Sequence, residues 1–295
     1  TIYQSINMKK YIILIIYHCV FLEIIKAQQL QGKAIAPLSG KRNIEKMTTI
    51  DSCNMRFSYA LNAEDITNID SYVDLQRLEI GQYFSKYYSF FIFNNDSLVW
   101  VWKSKKQAAQ SIPSWLGPLG KGKYYWSEYK YSEFFKDYQN NTITEYARMP
   151  YGIMNNRLYS EKTPEQNWTI HNDTSTIIGH LCQKATCHFR GRNYTAWFAL
   201  DIPICNGPWK FGGLPGIILK VYDDKQLYTF ECVKIESGIF PIKKYNFTSY
   251  NPIEREKLLK LQRKLNEDYY RTIGARRRDG GKLPDPVPYE PIELE

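Results

Sequence analysis

The sequence places two histidines and a cysteine within nine residues, at His180, Cys182 and His188. The residues around them alternate between apolar and polar, which is typical of a β-strand, and their equal parity predicts that all three side chains share one sheet face. His180 and His188 would lie ~26 Å apart on an unbroken strand, which is too far to share one metal ion. His180 and Cys182 are therefore the candidate metal ligands, with further ligands supplied by another strand. The alternative is a cysteine with a structural or paired role.

Other patterns of catalytic residues are missing from the sequence. It contains no Gly-x-Ser-x-Gly nucleophile motif, and the glycines and lysines at 120–123 lack the Gly-x-x-x-x-Gly-Lys-Ser/Thr pattern of a phosphate-binding loop. We therefore predict no catalytic residue and no cofactor.

Aromatic residues are numerous, with 24 tyrosines, 14 phenylalanines and 7 tryptophans, which is more than a core of this size usually holds. Trp100, Trp102, Trp197 and Trp209 are the candidate ligand-facing residues, and the first two share one face of a predicted hairpin. Aromatic side chains along a curved sheet suit apolar ligands, sugars or a partner protein. The alternative is that they fill a wide β core.

The formal net charge of +9 is compatible with an anionic partner. The basic residues are scattered, however, apart from three consecutive arginines at 276–278. No helix-turn-helix, finger or basic stripe organises the charge, so we predict no nucleic-acid partner. Peripheral contact with an acidic membrane or polysaccharide surface fits the same charge.

Residues 8–27 have the features of a signal peptide: a basic start, an apolar run and a small residue, Ala27, at the cleavage site. The apolar run is shorter than the ~20 residues that a membrane span needs. Residues 1–7 form an upstream extension. We expect an exported protein, periplasmic or associated with the outer membrane, with a single domain over 28–275 and an extended tail over 276–295.

Export would permit disulfide bonds, and five cysteines follow Cys19. An odd number leaves at least one thiol free. The predicted pair is Cys205 with Cys232, because these residues stand before and after a loop rich in glycine and proline. A bridge between Cys182 and Cys187 is disfavoured, since both would lie on one extended strand.

The strand signals become regular after residue 164, where short turns separate the apolar runs and indicate an antiparallel meander. Earlier, 87–93 and 98–103 flank a turn-rich link and predict a β-hairpin. One helix is expected over 251–271, with Asn251 as N-cap, Glu254 completing a capping box and an apolar stripe from Leu258 to Tyr269. The predicted fold class is α+β, mostly β: a curved antiparallel sheet or half-open barrel with the C-terminal helix packed on it.

The segment 201–220 is the centre of this arrangement, because its glycines and prolines stand between two apolar runs. Residues 214–217 predict a type II turn, in which Pro215 sets the first central φ and Gly216 takes a positive φ. A half-buried strand should begin at Ile217, with alternate residues on its two faces.

This segment resembles the signature of the GLPGLI family of bacterial envelope proteins. The six matching residues are Gly213, Leu214, Pro215, Gly216, Ile217 and Ile218. Blocks at 182–186, 194–199, 202–203, 207–209 and 288–294 are similar to other parts of the family pattern. The family has no established reaction, ligand or catalytic residue, so the resemblance implies an envelope location and little chemistry.

We therefore expect a non-enzymatic envelope component that binds an apolar ligand or an envelope protein partner. The alternative is a metal-dependent or hydrolytic envelope enzyme that uses the region of His180 and Cys182. The sequence gives no prediction of the oligomeric state.

Overall fold

A computed structural model describes residues 34–35, 42, 44–105, 116–121 and 125–295, with the backbone alone at 34, 35 and 125. The predicted signal peptide and Cys19 lie outside these residues. The strands are β1 (Ala34–Ile35), β2 (Thr48–Leu61), β3 (Asp74–Gly81), β4 (Phe84–Ser89), β5 (Tyr125–Trp126), β6 (Ser132–Asp137), β7 (Thr142–Ala147), β8 (Arg157–Lys162), β9 (Thr169–Ile177), β10 (His180–Phe189), β11 (Arg192–Ala199), β12 (Ile217–Asp223), β13 (Thr229–Lys244) and β14 (Asn251–Pro252). The α-helices are α1 (Phe90–Ser104), α2 (Glu128–Tyr131), α3 (Arg255–Glu267) and α4 (Tyr269–Thr272), with 3-10 turns at Ile44–Lys46 and Ile69–Ser71.

Twelve of the strands form one open sheet in the order β14-β8-β7-β6-β4-β3-β2-β13-β12-β11-β10-β9. Neighbouring strands are antiparallel except β14 and β8, which are parallel. The long strands β2 and β13 join the N-terminal and C-terminal halves of the sheet. The mostly-β prediction with a C-terminal helix is confirmed, and the sheet does not close into a barrel.

The two halves of the sheet curl toward each other and share the largest apolar core. Tyr87 and Phe134, from β4 and β6, belong to the same buried cluster as Phe198 and Val221, from β11 and β12. The Tyr59 hydroxyl donates to the Ile218 carbonyl at 2.8 Å inside this core. A second core lies between the sheet and the helices, which cover the other face. Much of the aromatic surplus therefore fills the interior.

The predicted hairpin over 87–103 is wrong, because β4 ends at Ser89 and α1 begins immediately. The Ser89 hydroxyl caps the helix by accepting the Ile92 N–H at 3.1 Å. The polar residues that suggested a turn have tertiary partners instead: Asp96 pairs with Arg148 at 2.7 Å, and the Asn95 side chain accepts the Leu116 N–H at 2.5 Å. These buried contacts override the turn preference.

The C-terminal helix is shorter than predicted and starts four residues later. Asn251 and Pro252 pair with β8 as β14, so the expected capping box does not form; Glu254 precedes α3 and makes no side-chain cap. The apolar stripe is confirmed, since Leu258 and Leu265 are fully buried. Residues 276–295 contain no helix or strand, yet Tyr289, Ile292 and Glu293 are buried at the end of the chain. Across the described residues, no helix has the length and apolar character needed to span a membrane.

The glycine–proline corner differs from the predicted type II turn. The positive φ belongs to Gly213, at 81°, rather than to Gly216. Gly216 is needed for close approach instead, since a Cβ atom there would lie 2.0 Å from the Ala199 carbonyl oxygen. The strand that leaves the corner, β12, is confirmed, and Ile217 and Ile218 are both buried.

Candidate ligand-binding cleft

A cleft of about 440 Å³ opens beside the corner. It lies between the end of β6 with the turn that follows it, the segment after β8, and the loop that precedes β12. The lining residues are Lys136, Tyr138, Asn141, Thr163, Pro164, Glu165, Gln166, Asn167, Cys205, Asn206, Lys210, Gly212 and Gly213. Most of these side chains are polar, which favours a polar ligand over an apolar one.

Lys136 reaches the cleft from the interior strand β6. It stands opposite Ser85 of β4 on one side and Ile143 of β7 on the other. It has the same parity as Phe134, which lies in the central core, and its residue surface is only 7% exposed. The strand therefore directs a lysine to a face that otherwise carries apolar residues.

The Lys136 amine is held by two uncharged oxygens. Nζ donates to the Asn206 side-chain carbonyl at 2.9 Å and to the Phe211 backbone carbonyl at 2.6 Å. In the part of the chain that the structure describes, no carboxylate lies within ion-pair distance of it. Burial disfavours the ammonium and lowers the pKa of Lys136 to about 7.

Asn206 organises the polar groups around this amine. Its amide nitrogen donates to the Tyr138 hydroxyl at 2.9 Å and to the Ser85 hydroxyl at 3.3 Å, while its carbonyl also accepts the Gly207 N–H. With both ends bonded, the amide has one orientation and the carbonyl faces Lys136. The Tyr138 hydroxyl accepts this bond, and burial raises the pKa of Tyr138.

Lys210 lines the same cleft in a different setting. Its side chain is 0% exposed and forms an ion pair with Glu293, which is also buried. Nζ donates to the Tyr159 hydroxyl at 2.5 Å and lies 3.6 Å from a Glu161 oxygen. This lysine holds the C-terminal residues against the sheet, and its charge is compensated within the protein.

A tight turn over 208–211 places these groups. The Phe211 N–H donates to the Pro208 carbonyl at 3.0 Å, and Trp209 has a φ of +53°, a conformation that side-chain-bearing residues rarely adopt. Trp209 is buried against Phe211 at 5.3 Å between ring centroids. Gly212 follows, and a Cβ atom there would lie 3.6 Å from Nζ of Lys136. The missing side chain keeps space open beside the amine.

The predicted metal ligands lie elsewhere and apart. The His180 ring contacts Asp201 at 2.7 Å near the surface, whereas Cys182 is buried in the core, where burial raises the pKa of its thiol to about 11. The pairing of β10 with β9 shifts register between Gln183 and Ala185, and His188 is exposed beyond this point. Within the described residues, no three histidine, cysteine, aspartate or glutamate side chains are grouped as a metal site.

The four candidate tryptophans do not meet in one place, and none is among the cleft-lining residues. Trp209 is buried, Trp197 packs partly buried against the central core, and Trp100 and Trp102 lie on helix α1. Residues two positions apart in a helix point about 200° away from each other, so Trp100 and Trp102 do not share a face.

Cys205 and Cys232 are not joined in this structure. Cys205 is exposed and lines the cleft, whereas Cys232 lies in the core, where burial raises the pKa of its thiol to about 12. The loop thus directs the Cys205 side chain away from β13.

Sequence reasoning missed Lys136 altogether. Its region carries so many aromatic residues that strand and short helix could not be distinguished. The available signal was its parity with Phe134, two positions earlier. Its oxygen partners, Asn206 and Phe211, are about 70 residues away and could not be paired with it from the sequence.

The family model described as "Protein of unknown function (Porph_ging)" matches residues 190–220. The match covers β11, the loop with Asn206, Lys210 and Gly212, and the start of β12. It is a short part of the chain and carries a different description from the GLPGLI resemblance, which stays a prediction.

Two solved structures, titled "Structure of PNGF-II in P21 space group" and "Structure of PNGF-II in C2 space group", are similar to this chain. Each is 14% identical to it with a TM-score of 0.44, and the alignments cover 72% and 76% of this chain. The chain spans about a third of those structures, 34% and 33%. No curated protein sequence matches the chain. We draw no functional argument from these comparisons.

Proposed function

We propose that this protein binds a small polar ligand in the cleft, as a non-enzymatic component. The observation that carries the proposal is the Lys136 amine, which is buried at the cleft without a carboxylate partner among the described residues. Burying a lysine in this way costs free energy, because the ammonium loses its hydration and gains no opposite charge in return. A ligand that bonds to the amine would recover part of that cost.

The cleft lining favours a ligand rich in hydroxyl or carbonyl oxygens. Asn141 and Asn167 bring side-chain amides, Thr163 a hydroxyl and Tyr138 a phenol. Such groups donate hydrogen bonds to oxygen atoms, and the volume accommodates a molecule of monosaccharide size. The aromatic residues that suggested an apolar ligand lie mainly in the cores.

We also propose that the protein works in the cell envelope, in the periplasm or at the outer membrane. The leader-like residues 8–27 and the resemblance to GLPGLI proteins support this location. The alternative function, hydrolytic or metal-dependent chemistry at His180 and Cys182, gains no support from the arrangement of the described residues.

Cys205 offers a direct test of ligand binding. Among the described cysteines it is the exposed one, so N-ethylmaleimide should alkylate it first. Glycerol, glucose and N-acetylglucosamine are added in turn as ligand probes during alkylation. In a separate experiment, the protein purified from its native envelope is analysed by mass spectrometry for retained small molecules. We expect one of the probes, or the retained molecule, to slow alkylation of Cys205 in the unmodified cleft and to have less effect in Lys136→Met. A protein that retains no small molecule and whose Cys205 reacts at the same rate with every probe would contradict the proposal.

A further inference from the structure

We propose that Lys136 captures its ligand covalently, by forming a Schiff base with an aldehyde or ketone carbon. This inference rests on the proposed ligand-binding function and adds a substrate class to it: small hydroxylated molecules with a free carbonyl, as in an open-chain sugar.

The hydrogen bonds of Lys136 match those of a neutral amine. A neutral amine has two N–H donors and one lone pair, whereas an ammonium has three donors. The two donors are satisfied by Asn206 and Phe211. Among the described residues Nζ has no third hydrogen-bond partner, so the lone-pair position is open for bond formation. Lys210, by contrast, forms ion pairs with Glu161 and Glu293.

Burial increases the share of the reactive form. With its pKa near 7, about half of Lys136 is neutral at neutral pH, whereas an ordinary lysine with a pKa of ~10.4 is neutral in roughly one molecule in 2,500. The neutral fraction is thus roughly a thousandfold larger. Desolvated lysines of this kind are the ones that enzymes and carriers use for Schiff bases.

The titratable groups near Lys136 do not account for its lowered pKa. Four titratable side chains line the cleft with Lys136. Tyr138 follows β6, and the exposed Glu165 lies in the 163–167 segment. Cys205 and the ion-paired Lys210 lie in the loop that precedes β12. The facing residues of β4 and β7 are Ser85 and Ile143, which carry no charge. Burial alone accounts for the lowered pKa of Lys136.

The reaction is balanced without a further reagent. The Nζ lone pair forms a bond to the carbonyl carbon, and the carbonyl oxygen takes up a proton. Loss of one water molecule then leaves a C=N bond, and addition of water reverses the process, so nothing is oxidised or reduced. The Tyr138 hydroxyl is hydrogen-bonded to Asn206, which also accepts a bond from the Lys136 amine. This hydroxyl is thereby positioned as the proton donor for the departing oxygen. The absence of a side chain at Gly212 leaves room beside Nζ for the incoming carbon.

The test uses the full chain with DL-glyceraldehyde as the probe and cyanoborohydride to reduce any imine to a stable amine. Peptide mapping by mass spectrometry then gives the extent of modification at each lysine. We expect Lys136 to be modified first at pH 7, ahead of the exposed Lys257 and Lys282, while Lys210 stays unmodified as the matched buried control. The ratio of modification at Lys136 to that at Lys257 should fall as the pH rises from 7 to 10, because the exposed lysine then becomes neutral as well.

A variant sharpens the result without removing the lysine. Asn206→Asp places a carboxylate beside Nζ, which should raise the pKa of Lys136 by about 1 to 3 pH units and slow its modification at pH 7 about fivefold or more. Equal modification of Lys136 and Lys257 at pH 7 in the unaltered chain would overturn the Schiff-base proposal.

Glycerol distinguishes the two proposals, because it has hydroxyl groups but no carbonyl. If glycerol and glyceraldehyde both protect Cys205 from alkylation and no adduct forms at Lys136, the cleft binds ligands and the covalent step is wrong. If neither compound protects Cys205 and no adduct forms, both proposals fail for this ligand class. An adduct at Lys136 that forms faster than at Lys257 supports the covalent step whether or not glycerol protects.

Discussion

Two buried lysines line one cleft and differ in what surrounds them. Lys210 is paired with Glu293, near Glu161 and bonded to Tyr159, whereas Lys136 has only uncharged oxygens as partners. Both are shielded from water, so burial alone does not decide the role of a lysine. The partners do: carboxylates pair with Lys210 and join two parts of the fold, while the uncharged oxygens around Lys136 leave an amine that changes its charge near pH 7.

The comparison also separates stability from function. Lys210 belongs to a network with Glu293, Arg255 and Arg190 that fastens the C-terminal residues to the sheet. Lys136 joins no such network and contributes a charge that the fold tolerates poorly. A group that weakens the fold and faces a cleft is a better candidate for function than one that strengthens it.

Removing the paired lysine should have the largest effect. Lys210→Met leaves one oxygen of the buried Glu293 without its cation, although Arg255 still contacts the other oxygen at 2.5 Å. We expect the free energy of unfolding in urea to fall by about 3 kcal/mol, in the range for breaking a buried ion pair. Lys257→Met, at an exposed site, should stay within about 0.5 kcal/mol. A loss at Lys210 no larger than this control would remove the contrast between the two lysines.

The unpaired Lys136 should make the free energy of unfolding depend on pH. Its pKa is about 7 in the folded protein and ~10.4 in the unfolded chain, so between these values the unfolded chain binds more protons and stability rises with pH. From pH 7 to pH 9 this group should add about 2 kcal/mol to the free energy of unfolding. Lys136→Met removes the contribution, and the difference between the two unfolding curves isolates it. Parallel curves for the two proteins would show that Lys136 is protonated to the same extent in both states.

A smaller change should affect the amine but hardly the fold. Gly212→Ala adds a methyl group 3.6 Å from Nζ of Lys136 and 3.3 Å from the Cys205 carbonyl, at a backbone conformation that alanine can adopt. We expect a loss of about 1 kcal/mol or less in unfolding free energy, together with slower glyceraldehyde modification of Lys136. Gly281→Ala is the control, since it has no positive φ and its added methyl group would meet side-chain atoms of Arg277 and Asp279 in the C-terminal tail. Unchanged modification in Gly212→Ala would mean that the ligand approaches from another side.

The sequence predicted those parts of the fold that depend on local pattern. The strand from Ile217 and the stripe containing Leu258 and Leu265 both appear as predicted, although Ile218 on the second face of the strand is buried as well. Helix α1 was missed since Asp96 is stabilised by Arg148, 52 residues away, and no local signal reports such a partner.

The candidate site was less predictable. Histidine and cysteine drew attention because of their chemistry, yet the His180 ring pairs with Asp201 near the surface while Cys182 is buried in the core. Lysine in a strand ordinarily indicates a solvated face, and Lys136 departs from this only because the curl of the sheet brings the 205–213 loop over it. The chemistry of the site therefore follows from a long-range contact that strand parity cannot reveal.

The most direct measurement is the pKa of Lys136 in the folded protein. Lysine labelled with ¹³C at Cε allows each side chain to be titrated by NMR, and the signal of Lys136 is assigned by its loss in Lys136→Met. We expect a midpoint of about 7 for Lys136. A midpoint of ~10.4, the ordinary value, would contradict the claim that about half of this amine is uncharged at neutral pH.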